Sequence, residues 1–232
     1  MRTVLCPLCA KVFQEIVPND HICNSGKASA VYYRDKETEQ VLRGIERPQG
    51  LLGAAIDLNV YNLCWIYGAD GASYLVHNLH DNLSSLPIKK RSRVAQCYFR
   101  SINNFLKKRY DYLYIGNWMP TEKQNRKNLI EQFRAILNLE NKLYILCEKN
   151  TTKKCHICGE MNSRKTLQDK RVFSCSGCNN DIYRDENAAI NLLKMFTPRV
   201  SQYPKARFVI RMFRDKGKQT GCDVSYKSVH LK

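Results

Sequence analysis

The sequence predicts an α/β fold, a mixed sheet flanked by helices and interrupted by a small metal-stapled insertion. Three observations predict it. From Gly53 onward, short β-branched and aromatic runs alternate with two segments whose apolar residues recur every three or four positions. Two C-x2-C pairs, Cys155/Cys158 and Cys175/Cys178, stand with sixteen residues between them. A single charge, Asp57, sits inside the otherwise apolar run Gly53-Ala54-Ala55-Ile56-Asp57-Leu58.

The elements follow in order. Residues 1–26 hold Cys6, Cys9, His21 and Cys23, three cysteines and a histidine close enough in sequence to predict a small CCHC-type zinc finger. A charged connector over 27–50 contains Pro48 and leads into the main domain, residues 51–196. Three strands are expected at 53–58, 62–67 and 73–77, with Asp70-Gly71 as a hairpin turn, which makes an antiparallel meander. Pro87 opens a helix whose apolar stripe is Val94, Tyr98, Ile102, Phe105 and Leu106. A strand at 112–116 follows, then a helix from about 122 to 139 with Leu129, Ile130, Phe133, Ile136 and Leu137 on one face, then a strand at 142–147. Four thiolates in two C-x2-C turns suit one tetrahedral zinc, so 153–180 reads as an inserted zinc ribbon. The Ala-, Ile- and Leu-rich stretch after Asp185 is the last helix, with that carboxylate at its N-terminus. The order β-β-β-α-β-α-β-ribbon-α is that of an RNase H-like sheet.

Residues 197–232 are strongly basic, with Tyr203, Phe208 and Phe213 interleaved. They predict either a tail that holds single strands, by phosphate neutralisation and base stacking, or a docked amphipathic helix.

Across 232 residues, 38 Lys+Arg against 21 Asp+Glu give a formal charge of +17. A potential of that sign attracts polyanions, with nucleic acid foremost. No run approaches the ~18 apolar residues of a membrane span, and Met1 to Cys9 lacks a long apolar signal core. No membrane association is expected, and an intracellular protein is, nuclear or in a viral factory if its source is eukaryotic or viral, otherwise cytoplasmic. Seven of the eleven cysteines have metal-ligand spacing, which favours reduced thiolates over a disulfide scaffold. Neither a phosphate-binding P-loop nor a dinucleotide fingerprint is present.

Burying Asp57 in its strand requires pairing, protonation or a metal ion. In the expected topology the first strand lies against the last helix, which brings Asp57 and Asp185 to one end of the sheet. Two or three such carboxylates can hold Mg2+ ions for phosphodiester hydrolysis.

The stretch from Gly53 to Leu193 resembles the RuvC-like nuclease domain and embedded zinc ribbon of TnpB transposon proteins, relatives of the compact type V CRISPR effectors. The resemblance is carried by Ala55-Ile56-Asp57-Leu58-Asn59-Val60-Tyr61-Asn62-Leu63, by the two C-x2-C pairs, and by Arg184-Asp185-Glu186-Asn187-Ala188-Ala189-Ile190-Asn191, which matches most of the family's D-R-D-x-N-A-A-x-N string. It implies Asp57 and Asp185 as catalytic carboxylates. The family's middle glutamate ordinarily ends the fourth strand, where this chain has Ile115-Gly116-Asn117-Trp118. Glu148, seven residues before Cys155, opens a stretch similar to the E-x-x-T-S-x-x-C of the eukaryotic homologues called Fanzor, which implies Glu148 as the relocated ligand.

The resemblance therefore implies a DNA endonuclease with Mg2+ or Mn2+ at Asp57, Glu148 and Asp185, structural zinc at one or two sites, and a guide RNA as a further partner. About fifty residues precede the nuclease segment, fewer than in the family, so a reduced form is expected. The alternative is a catalytically inactive, zinc-containing DNA-binding accessory factor of viral or mobile-element origin, acting in transcription or replication.

Overall fold

The strands and helices are seen in a computed structural model, which describes residues 3–5, 12–14, 31–33, 36–37, 52–59, 61–79, 83–118, 127–140, 142–163, 171–197, 200–201, 203–214 and 220–227. The elements are β1 (Thr3–Leu5), β2 (Val12–Gln14), β3 (Val31–Tyr33), β4 (Gly53–Leu58), β5 (Cys64–Gly68), β6 (Ala72–Val76), α1 (Ile88–Arg109), β7 (Tyr112–Gly116), α2 (Lys127–Glu140), β8 (Leu143–Leu146), β9 (Val172–Ser174), β10 (Asp181–Tyr183), α3 (Arg184–Lys194), β11 (Ala206–Arg214) and β12 (Thr220–Lys227).

Ten strands form one mixed sheet in the order β2-β1-β3-β12-β11-β6-β5-β4-β7-β8. The meander β4-β5-β6 is antiparallel, whereas β7 adds parallel to β4 and β8 parallel to β7. Each parallel step crosses over through a helix, α1 and then α2, as parallel neighbours require.

β4 is central, and its side chains alternate between two packed layers. Ala54, Ile56 and Leu58 join Phe99, Leu106, Phe133 and Leu137 from α1 and α2. Ala55 joins Ile190 and Leu193 of α3, together with Trp65 and Phe173, on the opposite face. Every residue of β4 is buried, as expected of a strand covered on both sides. The same alternation puts Asp57 on the α3 side.

The C-terminal segment departs from both sequence readings, a free basic tail and a docked helix. Residues 206–214 form β11, parallel to β6, and turn back as β12. Alternation decides this: Phe208, Ile210, Cys222 and Val224 face the α1 layer and are buried, so the basic composition rides on a strand pattern. Phe208 stacks on Tyr74 inside the core and offers no ring to a partner. Cys6, Cys9, His21 and Cys23, the expected N-terminal finger ligands, lie outside the described residues.

Candidate metal and carboxylate site

Cys155, Cys158, Cys175 and Cys178 bring their sulfurs within 4.8 Å of one another. Cys155 and Cys178 stand 3.7 Å apart, and Cys158 and Cys175 stand 3.5 Å apart. A zinc tetrahedron with Zn–S of about 2.3 Å has edges of about 3.8 Å, so the four thiolates fit that ion.

Each C-x2-C is a tight knuckle. The first closes through Gly159 N–H to the Cys155 carbonyl at 3.0 Å, the second through Asn179 N–H to the Cys175 carbonyl at 2.9 Å. Gly159 and Asn179 take positive φ, 79° and 55°, the left-handed turn that glycine and asparagine reach at least cost. Ile157 and Gly177 donate backbone N–H to the sulfurs of Cys155 and Cys175, which favours the thiolate form. β9 and β10 pair as a short hairpin that delivers the chain from the second knuckle into α3.

Polar side chains of the last helix serve three tasks. Asp185 lies in its first turn, where a carboxylate is favoured by the helix dipole; the cap itself is Tyr183, with no side-chain cap bond. Asn59, just past β4, donates its amide to Asp185 Oδ2 at 3.2 Å while its oxygen accepts from the N–H groups of Tyr61 and Asn62. One asparagine thereby ties the β4 end to the α3 start.

Glu186 is fully buried and meets Arg207 of β11 at 2.9 and 3.1 Å. Ser73 donates to it at 2.6 Å and accepts in turn from the Trp65 indole. Burial raises the Glu186 pKa, against the pull of Arg207. Breaking such a buried pair from one side costs about 3–5 kcal/mol, so β11 fixes the helix that carries Asp185.

Asn187 and Asn191, one helical turn apart, both donate to the carbonyls of Thr151 and Lys154, at 2.7 to 3.1 Å. Asn187 also accepts from His156 N–H at 3.0 Å, and Lys194 donates to the His156 carbonyl. The two amides clamp the first knuckle onto α3.

Asp57 is 5% exposed and its pKa is raised well above the usual range, first by burial, then by repulsion from Asp185 and Glu148, with Arg184 opposing. Glu148 follows β8, two strands from β4, yet a Cβ placed at Gly116 would lie 1.9 Å from its Oε2. Its carboxylate therefore leans across the bare end of β7 toward β4. The Oε2 atom is buried without a hydrogen-bond partner, and burial lifts Glu148 to about 7 despite Arg134 and a backbone N–H from Trp118.

Among the described residues the thiolate quartet is the one group of three or more candidate ligands within 4.8 Å of one another, so Asp57, Glu148 and Asp185 are not drawn together that closely. Arg184 stands 3.5 Å and Arg171 4.0 Å from Asp185, and Arg171 also lies 3.6 Å over the Tyr61 ring.

Because Asp57 and Glu148 have raised pKa values in the folded chain, the folded state favours their protonated forms. That stability is full below the ordinary carboxylate range and is lost as pH rises through the folded values, about 7 for Glu148. The melting temperature of the Mg2+-free protein should therefore fall between pH 5 and 8. A melting temperature that rises over that range would contradict the raised values.

Sequence reasoning singled out Asp57, Glu148, Asp185, the quartet and the N-terminal finger ligands; it quoted Asn59, Gly116, Glu186, Asn187 and Asn191 within motif stretches without giving them a task, and it missed Arg207. The spacing of Asn187 and Asn191, two amides one turn apart in an apolar helix, was a readable signal.

Residues 129–192 match the family model described as Cas12f1-like, TNB domain. The matched stretch runs from α2 through the thiolate quartet into α3, and it is related to the compact TnpB/Cas12-type effectors. Among solved structures, the chain is similar to one described as "Cryo-EM structure of the Cas12f1-sgRNA-target DNA complex", with TM-score 0.44 and 16% identity, covering 61% of this chain and 49% of that one. The chain thus spans about half the length of that protein. No curated protein sequence matches it. Among the described residues, no helix is long and apolar enough to cross a membrane.

Proposed function

We propose that the chain is a metal-dependent nuclease of the RuvC type that hydrolyses phosphodiester bonds in nucleic acid, DNA foremost. The strand order β6-β5-β4-β7-β8, with β5 antiparallel and α1 and α2 as crossovers, follows the RNase H-like plan and supports this reading. The observation that carries it is Asp57: a carboxylate buried in an apolar central strand, raised in pKa first by that burial and then by the charges of Asp185 and Glu148. A site built only for stability has no use for that repulsion, whereas a cation relieves it.

Asp57, Glu148 and Asp185 are the residues that would hold Mg2+ or Mn2+, and the unpartnered Oε2 of Glu148 suits a cation. When bound there, such an ion would supply Lewis-acid chemistry, activation of water and neutralisation of charge on the departing oxygen. The chain's own part is placement. Asn59 orients Asp185, Glu186 and Arg207 fix the helix under it, and Gly116 leaves the room through which Glu148 reaches inward. The four cysteines would hold structural zinc.

The resemblance of the motif residues to TnpB-type proteins makes a guide RNA the second proposed partner. Sequencing the RNA that co-purifies with the chain tests this separately.

Purified protein with Mg2+ or Mn2+ should nick or cut single-stranded, double-stranded or branched DNA. Binding without cleavage on all three, with either ion, would make the inactive zinc-containing DNA-binding factor the better account.

Gly116→Ala tests the placement of Glu148. The new methyl needs the space that Glu148 Oε2 occupies, and a misplacement of about 1 Å costs on the order of 10²-fold. Cleavage should fall by roughly that factor while zinc content and DNA affinity hold. A fully active Gly116→Ala would remove Glu148 from the site.

A further inference from the structure

Phe196, just past the end of α3, is 54% exposed and stacks on Tyr114 with 5.0 Å between centroids and planes 12° apart. Tyr114 meets Tyr144 at 5.6 Å, and Tyr144 meets Tyr112 at 6.1 Å. The four rings make one row across β7 and β8, and Tyr144 is 46% exposed.

The row is built into the sheet. A Cβ at Gly53 would come within 2.7 Å of the Tyr114 ring, so that ring rests where β4 has no side chain. Cations stand at both ends. Lys142 Nζ lies 5.4 Å over the Tyr112 ring. At the other end Met195, next to Phe196, lines a cleft of about 390 Å³ together with Lys149, Lys154 and Lys194; no Asp or Glu lines it, Cys155 and Cys158 of the quartet do, and Lys194 also donates to the His156 carbonyl.

Single exposed aromatics are common, but a contiguous row of rings is a recognition surface. Rings offer faces on which any base can stack, and flanking ammonium groups offer partners for the phosphates between them. A duplex hides its base faces and gains little from such a row. A neutral protein partner would leave the lysines unmatched.

We propose that Tyr112, Tyr114, Tyr144 and Phe196 form a stacking platform for the unpaired bases of single-stranded nucleic acid, with Lys142 and the lysine-lined cleft taking its phosphates. Lys149 directly follows Glu148, so a strand leaving the rings through the cleft is led toward the carboxylates. The proposal rests on the nuclease reading for that last step alone; the platform itself is tested without any divalent ion.

The experiment is fluorescence anisotropy with labelled oligo(dT) and a matched duplex, in chelator that leaves zinc in place. Tyr144→Ala and Phe196→Ala should each weaken oligo(dT) binding roughly tenfold and leave duplex binding unchanged. Tyr144→Phe and Phe196→Trp should bind as wild type. Phe196→Leu keeps apolar volume but no ring, so it should lose affinity like alanine with an unchanged melting temperature.

Wild-type affinity in the alanine variants, or equal losses on single strand and duplex, would overturn the platform. So would a wild-type chain that binds no oligo(dT), even where Mg2+-dependent cutting of duplex upholds the nuclease reading. A dimer in sedimentation that Phe196→Ala dissociates, with oligo(dT) affinity untouched, would reassign the row to contact between copies.

Discussion

Asp57→Ala is expected to abolish Mg2+- or Mn2+-dependent DNA cleavage while leaving DNA binding nearly intact. The ion-binding carboxylates stabilise charge in the transition state by several kcal/mol, and each ~1.4 kcal/mol is tenfold, so the loss is on the order of 10²–10⁴-fold. Phosphate affinity comes mainly from lysine and arginine, which the variant keeps. The isosteric Asp57→Asn separates chemistry from packing. It removes a buried charge that Asp185 and Glu148 repel, so its melting temperature in zinc-sparing chelator at pH 8 should equal or exceed that of wild type, although it does not cut. Asp185→Ala should give the same split. An Asp57→Asn protein that cleaves as wild type would end the assignment of these carboxylates as ligands.

Cys175→Ser is expected to release about one zinc equivalent and to unfold the ribbon. A four-thiolate site does not exist in the unfolded chain, so the free energy of metal binding is also free energy of folding, on the order of 10 kcal/mol for structural zinc. Cys175 is the buried corner of the second knuckle and accepts from Gly177 N–H, so a shorter, harder oxygen leaves both metal and backbone donor badly matched. Through the Asn187 and Asn191 clamp the damage should reach α3, with greater protease sensitivity around Asp185. Elemental analysis and limited proteolysis read the two effects. Unchanged zinc content and melting temperature would rule out the quartet.

How much was legible in the sequence depended on whether a residue contrasts with its own neighbours. Asp57 stands out in an apolar strand, Asp185 at the head of an apolar helix, and the cysteine pairs by their spacing. The meander, both crossover helices and β7 and β8 follow from local periodicity, with boundaries shifted by a few residues. Glu148 carries no such local contrast; a resemblance pointed to it, and its approach to Asp57 depends on the bare end of another strand at Gly116. Glu186 and Arg207 are separated in sequence, and their pairing is set by which free edge β11 joins, a tertiary fact. The C-terminal hairpin was misread because its lysines and arginines dominated the count, while the alternation of Phe208 and Ile210 held the information.

The route by which β3 joins the sheet has a consequence in time. Val31 pairs with Cys222 of β12, and β12 reaches the rest of the sheet only through β11 and β6. During synthesis at about 5–20 residues per second, Val31–Tyr33 would wait on the order of 10–40 s for that partner strand to be made. The local pairing of β1 with β2 and β3 can form early. Docking onto the sheet cannot, so β1, β2 and β3, made well before β12, are seated late, and a chaperone that shields an open strand edge would find its task there.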